Sequence, residues 1–332
     1  MGHIEGRIHE FYTDAMTELN AHTLINEQEA KLAALVAMAA GLNVVFFGSP
    51  GGGKTTLGEH MPLLVEGLDG DRIAAIPPEP DLTPKELVGG RVELEKDVTD
   101  AAGNTTHEVV GSNVQPIIKP TSLVIWANEI NRGNPHTLNT SLEAFESGTL
   151  DTTAGRTNLD LLWIASTMNP GEKKQGTMEV SVAMASRHAI GAVMGNGPEA
   201  DQDQVHDAID DGWLPQPDQI KTVTSVEELR AFQALLRTGG TILNGDVKPL
   251  SRALVKKTKA VLADNGIYES IPRLSKHNRL AAITIAALEG KTAVREEDVI
   301  RSIRLVAGAQ AGMLQRDSRK ATEIVDEIVA AA

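Results

Sequence analysis

The stretch "NVVFFGSPGGGKTTLGEHMPLLVEG", residues 43–67, decides the fold. Its first part, Asn43 to Gly48, is a short apolar run before glycines and reads as a buried strand. Its last part, "KTTLGEHMPLLVEG", reads as a helix. Between them "GSPGGGKT" (Gly48 to Thr55) fits G-x-x-x-x-G-K-T in full, in the strand–loop–helix setting that the motif requires. Glycines let the backbone curl so that N–H groups point at phosphate oxygens. The helix N-terminus adds partial positive charge. The pattern assigns phosphate binding to Gly48, Ser49, Pro50, Gly51, Gly52, Gly53, Lys54, Thr55 and Thr56. Lys54 reaches the β and γ phosphates, and Thr55 offers a hydroxyl to Mg²⁺. A glycine-rich turn before an ordinary surface lysine is the bland alternative, and the full spacing counts against it.

Outward from this stretch, strands alternate with helices. "NEQEAKLAALVAMAAG" (Asn26 to Gly41) has helical periodicity and a glycine stop. "RIAAIP" (Arg72 to Pro77), "TSLVIWAN", "LDLLWIAST" (Leu159 to Thr167) and "HAIGAVMG" (His188 to Gly195) read as strands. "LTPKELVGG" (Leu82 to Gly90) reads as a short capped helix, and residues 91–117 alternate as a two-stranded hairpin. "NPHTLNTSLEAFESG" puts Leu138, Leu142 and Phe145 on one helical face. This order predicts a P-loop α/β fold, a parallel sheet flanked by helices. An acidic, turn-rich linker follows and ends near Gln219. Helices alone are predicted beyond it, at roughly 225–237, 248–264, 273–289, 295–314 and 316–331, as an all-helical lid. The predicted layout is an N-terminal extension at 1–24, a nucleotide-binding domain at 25–219 and a lid at 220–332. "IEGR" (Ile4 to Arg7) matches a protease site often engineered into tags, so residues 1–7 are given no function.

Composition narrows the function classes. The 332 residues are 41% apolar, enough for a large core, and the formal net charge is -14. Coating nucleic acid generically needs clustered Lys and Arg, so that role is disfavoured. Cysteine is absent, which excludes disulfides, thiolate zinc sites and Cys nucleophiles and suits a cytoplasmic location. No apolar run approaches membrane-spanning length. His60, His136 and His188 show no metal spacing. Trp126 and Trp163 lie in strand runs and are expected in the core. Lys173-Lys174 reads as solvated loop.

The stretch "LVIWANEINRGNP" (residues 123–135) ends its strand in Asn128-Glu129. Hydrolytic P-loop sites use a paired Asp-Glu at this place, the first holding Mg²⁺ through water and the second polarising the attacking water. Glu129 keeps the second role. Asn128 keeps a carbonyl oxygen that accepts from a metal-bound water, but it has lost the charge. That costs about 1–3 kcal/mol, so the residues predict a slow or partner-stimulated ATPase. The competing reading is that Asn128-Glu129 simply caps the next helix, since Asn is a good cap.

"GSPGGGKT", "EINRGNPHTLNTSLEAFESGTLD" and "IASTMNP" together resemble the MoxR and dynein/midasin-related branch of AAA+ ATPases. The resemblance covers roughly residues 25–195 clearly and the helical tail more loosely. It implies that Glu129 is the catalytic Glu and that Asn169 is the sensor 1 residue beside the γ-phosphate. It implies an arginine finger at Arg187, which reaches a neighbour's nucleotide, although His188 stands where the family usually has Phe. It implies a sensor 2 arginine at Arg273, with Arg279 as the fallback, and a helix-2 insert at the 91–117 hairpin. Taken singly, Asn169-Pro170 also reads as a turn, Arg187 as a surface residue paired with an acid, and Arg273 as a first-turn helix residue. The implied activity is ATP hydrolysis with Mg²⁺ in a ring, six-membered in the family. The implied job is remodelling a client that often contains a von Willebrand factor A domain. A nucleotide-gated scaffold is the alternative that Asn128 suggests. "EINRGNP" also resembles the GTP-using McrB restriction subunits, a nucleic-acid motor that the acidic balance disfavours.

Overall fold

The computed structural model describes residues 2–23, 28–48, 50–99, 105–152, 155–169, 177–194, 210, 217–238, 247–315 and 317–330. Its centre is a sheet of five parallel strands: β1 (Asn43–Gly48), β3 (Ile73–Ile76), β6 (Val124–Ala127), β9 (Trp163–Met168) and β10 (Ile190–Met194). Their order is β10–β1–β9–β6–β3. Strands buried on both faces read as continuous apolar runs, as "VVFF" and "VIWA" do. All strands being parallel, every carboxyl end lies along one edge. The chain leaving β1, β6 and β9 therefore meets there.

Three small two-stranded sheets decorate this core. β4 (Gly90–Thr99) and β5 (Thr105–Val114) form the expected antiparallel hairpin. β7 (Thr149–Thr152) and β8 (Gly155–Asn158) form a second one that the polar sequence did not announce. β2 (Val65–Glu66) pairs with β11 (Thr224–Ser225) just before the helical region, so that region does not begin purely helical.

The helices are α1 (Gly2–His22), α2 (Gln28–Ala40), α3 (Lys54–Leu63), α4 (Pro84–Val88), α5 (Pro135–Asn139), α6 (Leu142–Ser147), α7 (Val182–Ala185), α8 (Val226–Thr238), α9 (Lys248–Asp264), α10 (Ile271–Leu288), α11 (Glu296–Leu314) and α12 (Ser318–Val329). The stretch 135–147 is thus two short helices, not one. The Thr140 and Ser141 hydroxyls bond back to the Thr137 and Leu138 carbonyls, competing with the helical ladder at the break. Leu138 and Phe145 are nevertheless buried. The strand expected from Leu159 starts only at Trp163, although Leu159 and Leu162 are buried before it. α2 is buried at every position from Ala30 to Ala40, as a helix apolar on nearly all sides must be, and its one cation there, Lys31, donates to Asn20 Oδ1 on α1.

α1 was not anticipated as structure. Its Ile8, Phe11, Ala15 and Leu19 are fully buried at helical spacing. Arg7, inside the tag-like "IEGR", donates to Glu228 on α8 at 3.2 Å.

The helical region is in direct contact with the sheet. Gly308 on α11 faces Gly191 on β10 so closely that a Cβ at Gly308 would stand 2.8 Å from the Gly191 oxygen. Gln233 on α8 donates to the Met38 and Leu162 carbonyls, both at 3.0 Å. Gln310 on α11 donates to the His188 carbonyl at 3.2 Å. Buried apolar residues on both sides of position 220 form one continuous core. Most of the predicted linker, 195–209 and 211–216, lies outside the described residues, as do Lys173 and Lys174.

Candidate active site

The site is built at the carboxyl ends of β1, β6 and β9. β1 ends at Gly48, where only a missing side chain fits: a Cβ would lie 1.8 Å from the Met194 carbonyl oxygen. The loop then turns through Gly51 and Gly53, both at positive φ, and Gly53 caps α3. Ser49 lies outside the described residues. Lys54 is buried, and its Nζ donates to the Gly48 carbonyl at 2.9 Å, folding the lysine back over the loop. α3 can pack closely because Gly58 faces the ring of Trp126 on β6. Trp126 and Trp163 are both core residues.

Asn128 follows β6. Its Oδ1 accepts from Thr55 Oγ1 at 3.1 Å and from Thr167 Oγ1 at 2.7 Å. The first contact points the Thr55 proton at Asn128 and leaves the oxygen lone pairs for a cation. Of the pair Asn128-Glu129, Glu129 holds the cap position of the next helical turn without a side-chain cap bond, while the Asn128 side chain is turned to Thr55 and Thr167 instead.

Glu129 has φ 45° and ψ 53°, the one non-glycine residue at positive φ among the described residues. This left-handed geometry costs about 1–2 kcal/mol for an L-residue. Its N–H donates to Thr167 Oγ1 at 2.7 Å, and its carbonyl accepts from Arg132 N at 2.8 Å. The turn aims the carboxylate back at β9, where Asn169 Nδ2 donates to Oε1 at 2.6 Å. Arg132 Nε lies 2.6 Å from Oε2, an ion pair. Asn131, also buried, donates to the Asn169 carbonyl at 2.9 Å. Among the described residues, two buried amide oxygens, on Asn131 and Asn169, have no hydrogen-bond partner.

Thr55, Asn128, Glu129 and Asn169 are therefore joined in one hydrogen-bonded chain through Thr167, with Lys54 beside Thr55 at the start of α3. Three contributors escaped the sequence reading. Thr167 bridges Asn128 and the Glu129 N–H, Arg132 pairs with the carboxylate, and Asn131 props Asn169. All three lie inside the quoted motif stretches, but only a fold could show that they touch.

Arg187 and Arg273 do not join this cluster. Asn43 Nδ2, at the start of β1, donates to the Arg187 carbonyl at 2.8 Å. Arg187 thus sits at the amino end of a strand whose other end is the phosphate loop, about 16 Å away at 3.3 Å per residue. Its guanidinium pairs with Glu146 at 2.5 Å, and Arg273 pairs with the same carboxylate at 3.0 Å. Arg279, the fallback, is exposed on α10. His188 is fully buried. Its Nδ1 donates to the Met184 carbonyl at 3.1 Å, and its Nε2 accepts from Ser166 Oγ at 2.9 Å. Burial pushes this imidazole down to about 4. No group of three or more potential metal-ligating His, Asp or Glu residues occurs among the described residues. No helix among them is long and apolar enough to cross a membrane.

Comparisons with known proteins bear on the fold. Residues 43–188 match the family model for the AAA domain of the dynein-related subfamily. No curated protein matches the chain. A crystal structure of a candidate ATPase from Cytophaga hutchinsonii superposes with a TM-score of 0.73 at 16% identity, covering 100% of this chain and 97% of that one. At that identity the likeness speaks for the fold, and it extends over the helical region as well. The chain therefore has an AAA+ P-loop fold, with an ATPase-type nucleotide-binding domain at residues 43–188.

Proposed function

We propose that this chain is a MoxR-like AAA+ ATPase that hydrolyses ATP in a ring of its own copies and uses the cycle to remodel a partner protein. The observation that carries the proposal is the meeting of Lys54, Thr55, Asn128, Glu129 and Asn169 at the carboxyl edge of three neighbouring strands. The residues fit Mg²⁺ at Thr55, with Asn128 behind its water shell, and the ion would neutralise phosphate charge there. The chain's own residues do the rest. Loop N–H groups and Lys54 hold the phosphates. Glu129 takes hydrogen bonds from an attacking water, and the Asn169 amide fixes the carboxylate that does so. Arg187, remote from its own cradle, serves the nucleotide of the next copy. In the resembled group, rings are commonly hexameric and the client often carries a von Willebrand factor A domain; both are taken over here as part of the proposal.

A second reading is favoured by Asn128: ATP binding alone assembles the ring, and turnover is incidental. Steady-state Mg²⁺-ATP hydrolysis by the native chain and by Glu129→Gln, with oligomer mass followed in the same samples, separates the two. A motor loses turnover in Glu129→Gln while still holding ATP. If the native chain assembles on ATP without hydrolysing it, the scaffold reading stands and the motor reading falls.

A further inference from the structure

At the amino edge of the sheet a cleft of about 790 Å³ opens between the α/β core and the start of α10. Arg187, Arg273, Arg237, Lys276, Glu146 and Asp160 line it. Two arginines meet there over one carboxylate. Arg187 Nη2 is 2.5 Å from Glu146 Oε2, and Arg273 Nη2 is 3.0 Å from Glu146 Oε1. Arg273 Nη1 also donates to Ser186 Oγ at 2.8 Å and lies 3.8 Å from Glu269. Arg187 has one partner in its own chain at each of its three guanidinium nitrogens. Its Nε donates to the Leu142 carbonyl at 3.0 Å and its Nη1 to the Ala183 carbonyl at 2.7 Å.

Adjacent guanidinium groups repel. A carboxylate with one oxygen for each cation is the smallest group that holds two of them side by side. A terminal phosphate offers the same arrangement, two or three anionic oxygens to forked N–H donors. Glu146 therefore stands where a phosphate would bridge the pair. It lies near the end of the short helix α6, and its side chain is half exposed, so a rotamer change removes it.

We propose that Glu146 is a positioning residue that keeps Arg187 and Arg273 together as a stowed pair, and that the terminal phosphate of a nucleotide held by a second copy of this chain displaces it. The proposal rests on the trans role of Arg187 put forward above. It adds that joining two copies means breaking the two ion pairs that Glu146 makes.

Glu146→Gln keeps the shape and an acceptor oxygen but drops the charge that competes with phosphate. In a Glu129→Gln background, ATP-driven assembly is followed by sedimentation against protein concentration. With Glu129 intact, turnover is followed over the same range. The concentrations for half-assembly and half-maximal turnover are expected to fall about 3- to 10-fold, the scale for losing exposed ion pairs, with kcat unchanged. Asp160→Asn removes the same charge from the same cleft but from a residue that pairs with Arg230, and it is expected to shift neither. The proposal is overturned if Glu146→Gln shifts no more than Asp160→Asn, or if it lowers kcat as Arg187→Ala does. Turnover that is independent of protein concentration in the native chain would instead remove the trans reading beneath it.

Discussion

Replacing Asn128 by Asp tests the site at its departure from the usual hydrolytic pair. Asn128 Oδ1 already accepts from Thr55 at 3.1 Å and from Thr167 at 2.7 Å. An Asp in the same rotamer keeps both donors and adds a charge. Hydrogen bonds to a charged acceptor are worth about 1.5–3 kcal/mol against about 0.5–1.5 for neutral ones, so both hydroxyl contacts strengthen. The new charge lies one residue from Glu129, whose carboxylate is already matched by Arg132 and Asn169. Repulsion between the two acids offsets much of that gain while no cation is present. With Mg²⁺ the repulsion is relieved, and the recovered charge-assisted contact gives about 1–3 kcal/mol. That is roughly a 5- to 150-fold drop in half-saturating Mg²⁺. The assay is ATP turnover titrated with Mg²⁺ at fixed ATP, beside thermal unfolding in chelator. The variant is expected to saturate at lower Mg²⁺ with little change in metal-free melting temperature. Half-saturating Mg²⁺ within about twofold of the native value would refute the placement of position 128 beside the cation, because a charge there cannot leave metal affinity untouched.

Three further outcomes follow from single contacts. Thr167→Val keeps the shape but leaves the Glu129 N–H without its acceptor. It should cost about 1–3 kcal/mol in urea unfolding and lower kcat more than it raises KM. Gly308→Ala drives a Cβ to 2.8 Å from the Gly191 carbonyl oxygen, and calorimetry should show a loss of about 1–3 kcal/mol from overpacking where α11 meets β10. His188 is held down to about 4 from its usual 6.5 by burial. The unfolded chain therefore takes the proton first, and the contribution present above pH 6.5 is lost as pH falls toward 4. This amounts to about 3 kcal/mol, and a flatter stability profile across that window in His188→Gln is the check.

The sheet was legible because each strand of it is an apolar run bounded by turn signals. The phosphate loop was legible because its chemistry is contiguous, with glycines, lysine and threonine inside eight residues. Glu129 and Asn169 could be placed only by resemblance, since they lie 40 positions apart and meet because β6 and β9 are neighbours. Thr167 and Arg132 look ordinary in the sequence. Their roles come from a left-handed turn at Glu129, which nothing in "ANEINR" announces, because Glu carries no preference for positive φ. α1 was missed for a different reason. Its apolar face is spaced at helical intervals, but a tag-like tetrapeptide within it drew the reading away from structure.

The position of the arginines follows from the same parallel sheet that gathers Thr55, Asn128, Glu129 and Asn169. A parallel strand has chemically distinct ends. Whatever leaves the carboxyl end of β1 faces the glycine-rich loop, and whatever bonds to its amino end is turned away. Asn43 fixes this for Arg187 by donating to the Phe145 carbonyl at 2.7 Å and to the Arg187 carbonyl at 2.8 Å. Arg273 is tied to the same end through Ser186 and Glu146. For either arginine to reach Lys54 in its own chain, β1 would have to be bypassed along its whole length, against α11 packed on the sheet. A second copy that lays its carboxyl edge against this amino edge needs no such rearrangement. In the proposed ring, one chain would carry two half-sites at opposite ends of one sheet. Turnover in that arrangement is a property of the junction between copies, so mixing Glu129→Gln subunits with Arg187→Ala subunits should restore activity in one class of junction.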